Sequence, residues 1–218
     1  MSPASAADGA IGVIILAAGE SSRMGRPKQL LSVNGKTLLR HAIDAARVID
    51  EAPVVVLGAH AAAICAEVNG LPVTIIENTD WQSGMGGSLR TGLQALLDHS
   101  PKTQAAIIML CDQPRVTGDI LRALVEPYRS SASPIVACEY GGVLGVPALF
   151  HRTMFQELLA LQGAEGARKI IQRYPAQAAR VSFPDGAIDL DTPEDFAAVM
   201  NWPDTSGRRS ARHQTVIP

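Results

Sequence analysis

One stretch of this chain gathers small residues and cations in a way that suits phosphate chemistry: Leu16-Ala17-Ala18-Gly19-Glu20-Ser21-Ser22-Arg23-Met24-Gly25-Arg26-Pro27-Lys28-Gln29-Leu30. Residues with small side chains let backbone N–H groups approach a phosphate, and Arg23 and Lys28 add charge where those amides converge. Two familiar phosphate loops are excluded by counting. A dinucleotide fingerprint needs G-x-G-x-x-G, which Gly19-Glu20-Ser21 breaks. Gly35-Lys36-Thr37 would complete a Walker A loop only with a glycine at position 30, where Leu30 stands. Asn34-Gly35 reads instead as a turn, with Thr37 capping the helix that follows.

Carboxylates appear at two further places. Asp112 follows Ile107-Ile108-Met109-Leu110-Cys111, and at the carboxyl end of a buried strand it can hold Mg²⁺ against phosphates or simply cap a turn. Asp189-Leu190-Asp191 offers two more, which strand alternation would point to one face; Asp191 also reads as a cap before Pro193. Glu77-Asn78 ends an apolar run, and Ser83, Gly84, Gly86, Gly87 and Ser88 follow before a helix. Amide and backbone groups there can read a base edge, or form a plain turn with a helix cap. Arg168, in Gly166-Ala167-Arg168, is offered either to an anion or to solvent.

These residues need a scaffold. The apolar, β-branched runs Ile11–Ala17, Pro53–Leu57, Val73–Ile76, Ala105–Leu110 and Pro134–Cys138 read as buried strands. Helical spacing lies between them at Thr37–Ile49, Ala61–Val68, Met85–Asp98 and Val116–Tyr128. That alternation predicts an α/β fold of three layers, Rossmann-like, with a mostly parallel central sheet covered on both faces. Farther on, Gly145–Phe150 and Ala179–Phe183 read as strands and His151–Gln162, Gly166–Arg173 and Pro193–Met200 as helices, the last capped by Thr192 with Pro193 in its first turn. One domain over 11–202 is expected, between a flexible 1–10 and a disordered tail at 203–218.

The 218 residues carry 19 Lys+Arg against 21 Asp+Glu, a formal charge of −2, so no global basic field exists to hold nucleic acid and a polyanion must be gripped locally. Only 4% of residues are aromatic, which leaves little surface for stacking single-stranded bases. Cys65, Cys111 and Cys138 lack zinc spacing and read as buried reduced thiols. Ile11–Ala18 is too short to span a membrane and lacks signal-peptide flanks, so a cytoplasmic protein is expected.

Leu-Ala-Ala-Gly-x-x-x-Arg-Met-Gly-x-Pro-Lys closely resembles the signature loop of the MobA-like NTP transferases. Further landmarks agree in order: Asn78 with Trp81 and Gly84 to Ser88, Asp112-Gln113-Pro114, Gly145 to Phe150, Gly163 to Arg168, and Asp189 to Asp195. The likeness covers residues 11 to 200, and within the family it is most similar to the molybdenum cofactor cytidylyltransferases. One departure is Ala164, where an acidic residue often stands. The resemblance implies nucleotide binding by Leu16, Ala17, Ala18, Gly19, Ser22, Arg23, Lys28, Asn78, Gly84, Ser88 and Asp112, and catalysis by Arg23, Lys28 and Asp112. It further implies Mg²⁺ on Asp112 and Asp189, and an acceptor near Arg168 and Asp191. Lys28 is expected to be exposed in its loop.

The activity so implied is transfer of CMP from CTP to a phosphorylated pterin acceptor, molybdopterin or its metal-loaded form, with release of pyrophosphate. A molybdoenzyme client and a monomer or weak dimer accompany that reading, with no nucleic-acid or membrane partner. Two alternatives stay open: a cytidylyltransferase for another small phosphorylated acceptor such as methylerythritol phosphate, and a non-catalytic cofactor carrier. Retention of Arg23, Lys28 and Asp112 together weighs against the carrier, which has no need of a metal carboxylate.

Overall fold

The computed structural model describes residues 9–131, 133–190 and 192–200. Strand β1 (Ile11–Ala17) is apolar along almost its whole length because it lies mid-sheet with helices on both sides. A short antiparallel ribbon, β2 (Ser32–Val33) and β3 (Lys36–Thr37), follows. Asn34 and Gly35 close it with φ of 50° and 79°, the positive pair that a two-residue hairpin loop needs. Helix α1 (Leu38–Ala46) starts where Thr37 accepts the Arg40 N–H at 3.2 Å, as its sequence predicts.

Strands and helices then alternate through β4 (Val54–Leu57), α2 (Ala61–Val68), β5 (Thr74–Glu77), α3 (Met85–His99), β6 (Ala105–Leu110) and α4 (Gly118–Ser131). The second half adds β7 (Ile135–Tyr140), β8 (Val143–His151), α5 (Phe155–Leu159), α6 (Ala167–Arg173), β9 (Ala178–Ser182) and α7 (Pro193–Met200). The main sheet has the order β5-β4-β1-β6-β8-β7-β9. Only β8 runs against the rest, pairing antiparallel with both β6 and β7. The carboxyl ends of the other six strands therefore share one edge.

Alternation along β1 sorts its side chains into two cores. Val13, Ile15 and Ala17 face α1, α2 and α4, while Ile14 and Leu16 face α3, α5 and α6. A third cluster joins Met24 of the signature loop, Leu31 just before the ribbon and Val33 within it to Leu190 and to Val199 of α7. Helix α7 opens with a reciprocal cap: the Asp195 N–H donates to Thr192 Oγ1 at 3.2 Å and the Thr192 N–H to Asp195 Oδ2 at 2.9 Å.

Three expectations are corrected. Gly145–Phe150 is the middle of a longer strand, Val143–His151, so His151 leaves the expected helix to pair with Ala105; what remains of that helix is a 3₁₀ turn, Arg152–Met154, and α5. Helix α1 stops three residues before Ile49, in a turn where Ile49 N–H donates to the Ala46 carbonyl. Cys65 is exposed, since α2 buries only Ile64 and Val68; Cys111 and Cys138 are buried. Among the described residues no helix is long and apolar enough to cross a membrane. Residues 1–8 and the expected tail at 203–218 lie outside the described residues.

Candidate active site

The shared carboxyl edge collects most of the residues singled out above. The loop after β1 carries Ala18 to Lys28, Asn78 follows β5, Asp112 follows β6, and Tyr140 ends β7. In an open α/β sheet this is the edge where ligands bind. A cavity of about 880 Å³ lies at the opposite edge between Ile11, Val48 and Arg122, away from all of them.

The signature loop holds its shape through side chains of its own. Gln29 is fully buried and donates to the carbonyls of Ala17 and Gly19, each at 2.9 Å. Ser21 Oγ accepts the Lys28 N–H at 3.1 Å. Apart from its chain neighbours, Gly19 has no atom of the described residues within 4 Å of where a Cβ would stand, so no packing requires glycine there; the open space suits close approach of a ligand. Ser22 and Arg23 are exposed in the 3₁₀ turn that follows.

Lys28 reaches across to Asp112, its Nζ forming an ion pair with Oδ2. Both side chains are largely covered, at 15% and 14% exposure, which corrects the expectation of an exposed lysine. The Asp112 Oδ1 is buried and takes no hydrogen bond from any of the described residues. A buried carboxylate oxygen of this kind is costly unless a partner meets it, and a hard divalent cation is a partner it fits. Leu190 N–H donates to the Asp112 carbonyl at 3.1 Å, bringing the exposed Asp189 alongside. Among the described residues no three His, Cys, Asp or Glu form a closed metal cage. A cation here would be held by one or two carboxylates with phosphate oxygens and water, the manner of Mg²⁺.

Asn78 and Ser88 are buried and tied together, Asn78 Nδ2 donating to Ser88 Oγ at 3.0 Å while its Oδ1 accepts the Asp80 N–H at 3.1 Å. Their amide and hydroxyl thus brace the turn into α3. Gly84, at φ 113°, is forced by contact: a Cβ would stand 2.2 Å from the Gly163 carbonyl oxygen. On the far side, Tyr140 donates to the Val146 carbonyl at 3.0 Å. Burial pushes the Tyr140 phenol above its ordinary pKa; the Gln113 amide opposes that, Asp189 adds to it, and Arg168 opposes it. Asp191 lies outside the described residues.

Residues 13–179 match the MobA-like NTP transferase domain. The chain belongs to this family of nucleotidyltransferases. It is 32% identical over 198 residues to the nicotine blue oxidoreductase of Paenarthrobacter nicotinovorans, covering 86% of this chain and 95% of that one. It is 28% identical to the molybdenum cofactor guanylyltransferase of Vibrio campbellii, covering 84% and 92%. Among solved structures, Rv0371c of Mycobacterium tuberculosis superposes with a TM-score of 0.73 at 31% identity, covering 89% of this chain and 100% of that one. A manganese complex of the same protein gives 0.69 at 30% identity, covering 88% and 98%.

Residues without a role in the sequence reading also shape this MobA-like site. Gln29, Ser21 and Tyr140 are such residues, and so is Gln113, whose buried amide donates to the carbonyls of Val146 at 3.3 Å and Gly186 at 3.2 Å. Their signal in the sequence is faint, because a glutamine beside a lysine or an aspartate reads as surface.

Proposed function

We propose that this chain transfers CMP from CTP to the terminal phosphate of molybdopterin, or of its molybdenum-loaded form. A phosphate oxygen of the acceptor bonds to the α-phosphorus, the bond from that phosphorus to the bridging oxygen of the β-phosphate breaks, and pyrophosphate leaves. The observation that carries the reading is the meeting of Lys28 with Asp112, whose second oxygen is buried without a partner among the described residues, beside a loop with open space at Gly19.

A phosphate nucleophile is already ionised near neutral pH, so the residues need no general base. They position the reactants and neutralise charge: Arg23, Lys28 and the loop amides take the triphosphate, and Asn78 and Ser88 hold the turn beside the base. Mg²⁺, held by Asp112 with Asp189 as second carboxylate, would supply Lewis-acid neutralisation of the phosphates. That a relative of known structure takes manganese supports a divalent ion, and that another relative is named a molybdenum cofactor guanylyltransferase supports the acceptor class. Arg168 faces the acceptor's anionic group.

Incubation of the purified protein with Mg²⁺, each NTP in turn and either the pterin cofactor or methylerythritol phosphate, followed by pyrophosphate release, tests this. CTP with the pterin acceptor should react fastest. Reaction only with the sugar phosphate would move the chain to the other acceptor class. No pyrophosphate with any pair, from a protein that still binds the cofactor, would make it a carrier.

A further inference from the structure

Ser21 is a non-glycine residue in the left-handed region, with φ 60° and ψ 34°, which side chains with a Cβ rarely adopt. Its hydroxyl stands where the two ends of the signature loop meet. There it accepts the Lys28 N–H at 3.1 Å and donates to Gln29 Oε1 at 3.4 Å. Gln29 turns its Nε2 to the Ala17 and Gly19 carbonyls, so the amide is used at both ends.

These contacts do more than fill space. Across a planar trans peptide the carbonyl of one residue and the N–H of the next point opposite ways. With the carbonyls of Ala17 and Gly19 turned in toward Gln29, the N–H groups of Ala18 and Glu20 point away from it. The same strut pins the backbone of Lys28, whose side chain leaves for Asp112. Gln29 is buried and touches none of the space that Gly19 leaves open, so it acts on a ligand only through the loop.

We propose that Gln29 and Ser21 are positioning residues for the triphosphate: a buried strut that fixes the direction of the loop amides and the exit point of Lys28, and so governs affinity for phosphates far more than for the nucleobase, whose Ala18 wall is also held by its packing on Gly58 and Trp81. This rests on the nucleotidyltransferase reading above.

The test compares CTP with cytidine, which keeps the base and sugar and lacks the phosphates. For wild type, Gln29→Met and Ser21→Gly, the KM for CTP and the inhibition constant of cytidine are measured beside the melting temperature. Gln29→Met should raise the CTP KM by ~10-fold or more, and Ser21→Gly by several-fold, the scale of one or two hydrogen bonds to a charged group. Cytidine inhibition should stay within about twofold of wild type in both, since no phosphate is involved. Ser21→Gly also relieves the left-handed backbone, so its melting temperature should hold or rise while CTP binding weakens; a residue serving stability alone would not separate the two. Should Gln29→Met fail to fold, Ser21→Gly decides the matter. Wild-type KM for CTP in the folded variants, or a parallel loss of cytidine binding, overturns the proposal while an active wild type keeps the nucleotidyltransferase reading. A wild type that transfers nothing overturns both.

Discussion

Lys28 and Asp112, 84 residues apart in the chain, form an ion pair at the carboxyl edge of the sheet with both side chains mostly covered. The ammonium of Lys28 therefore already satisfies one oxygen of the carboxylate that is proposed to hold the metal. Two cations cannot share that oxygen without repulsion.

Binding of a metal to the free protein should thus compete with Lys28. In Lys28→Met, Mn²⁺ without nucleotide should bind about tenfold more tightly than in wild type, while turnover of CTP falls, because the triphosphate loses a cation. Electron paramagnetic resonance of free Mn²⁺ reads the first change and pyrophosphate release the second. Equal or weaker Mn²⁺ binding by the variant would show that the pair does not compete with a metal. Since a partly covered carboxylate is left behind, the melting temperature should also drop measurably, unlike that of an exposed lysine variant.

Asp112→Asn should keep the fold, because the amide still offers Lys28 an oxygen acceptor and the strand before it is buried on its own account. Turnover should fall by at least ~10², the scale seen when a charge is lost from a phosphoryl-transfer site. Activity within a few-fold of wild type at saturating Mg²⁺ would remove Asp112 from the mechanism.

The strands carrying the site were legible because their apolar runs are long and bounded: Ile11–Ala17 and Ala105–Leu110 occupy the predicted residues. The caps at Thr37 and Thr192 were legible for the same local reason, a hydroxyl placed before an apolar helix. What periodicity could not carry is tertiary. The covered state of Lys28 depends on Asp112 folding beside it, and the brace between Asn78 and Ser88 depends on α3 starting within reach of β5. Gln29 is polar and is buried only because the loop folds over it, a closure that no local pattern announces.

Gly84→Ala should destabilise the fold by about 2–4 kcal/mol, since the new methyl meets the Gly163 backbone and the left-sided φ is strained for alanine. Urea unfolding should show it as a shifted midpoint with an unchanged slope. A shift under about 0.5 kcal/mol would mean that the loop at Gly163 yields freely.

The thiols should separate by burial. A maleimide at pH 8 should modify Cys65 rapidly and leave Cys111 and Cys138 untouched on the same timescale, because burial raises the pKa of both, that of Cys138 to about 12 from 9.0. The sign for stability follows. The unfolded thiol ionises near pH 9 while the folded one resists, so the contribution of Cys138 is complete below pH 9 and is lost as pH rises toward about 12. Cys138→Ala should flatten that alkaline decline in melting temperature, and an unchanged decline would assign it to other groups.

The last prediction concerns the base. The Ala18 methyl is buried, and Gly58 stands so near that a Cβ there would lie 2.8 Å from it and 2.6 Å from the Trp81 Cβ. Ala18, Gly58 and Trp81 thus form one close-packed wall at the start of the loop, braced by the Ala59 N–H donating to the Ala18 carbonyl at 3.1 Å. A methyl in this wall should narrow the space that a purine would need. One methylene-sized change discriminates only ~10–200-fold, and mismatched hydrogen bonds to the wrong base add to that. Competition between equal CTP and GTP should therefore yield mainly the cytosine product. Ala18→Gly should relax the preference without creating efficient use of GTP, because Asn78 and Ser88 would still hold their turn as before. A wild type that makes mostly the guanine product would sink the assignment of CTP while leaving the transfer reaction intact.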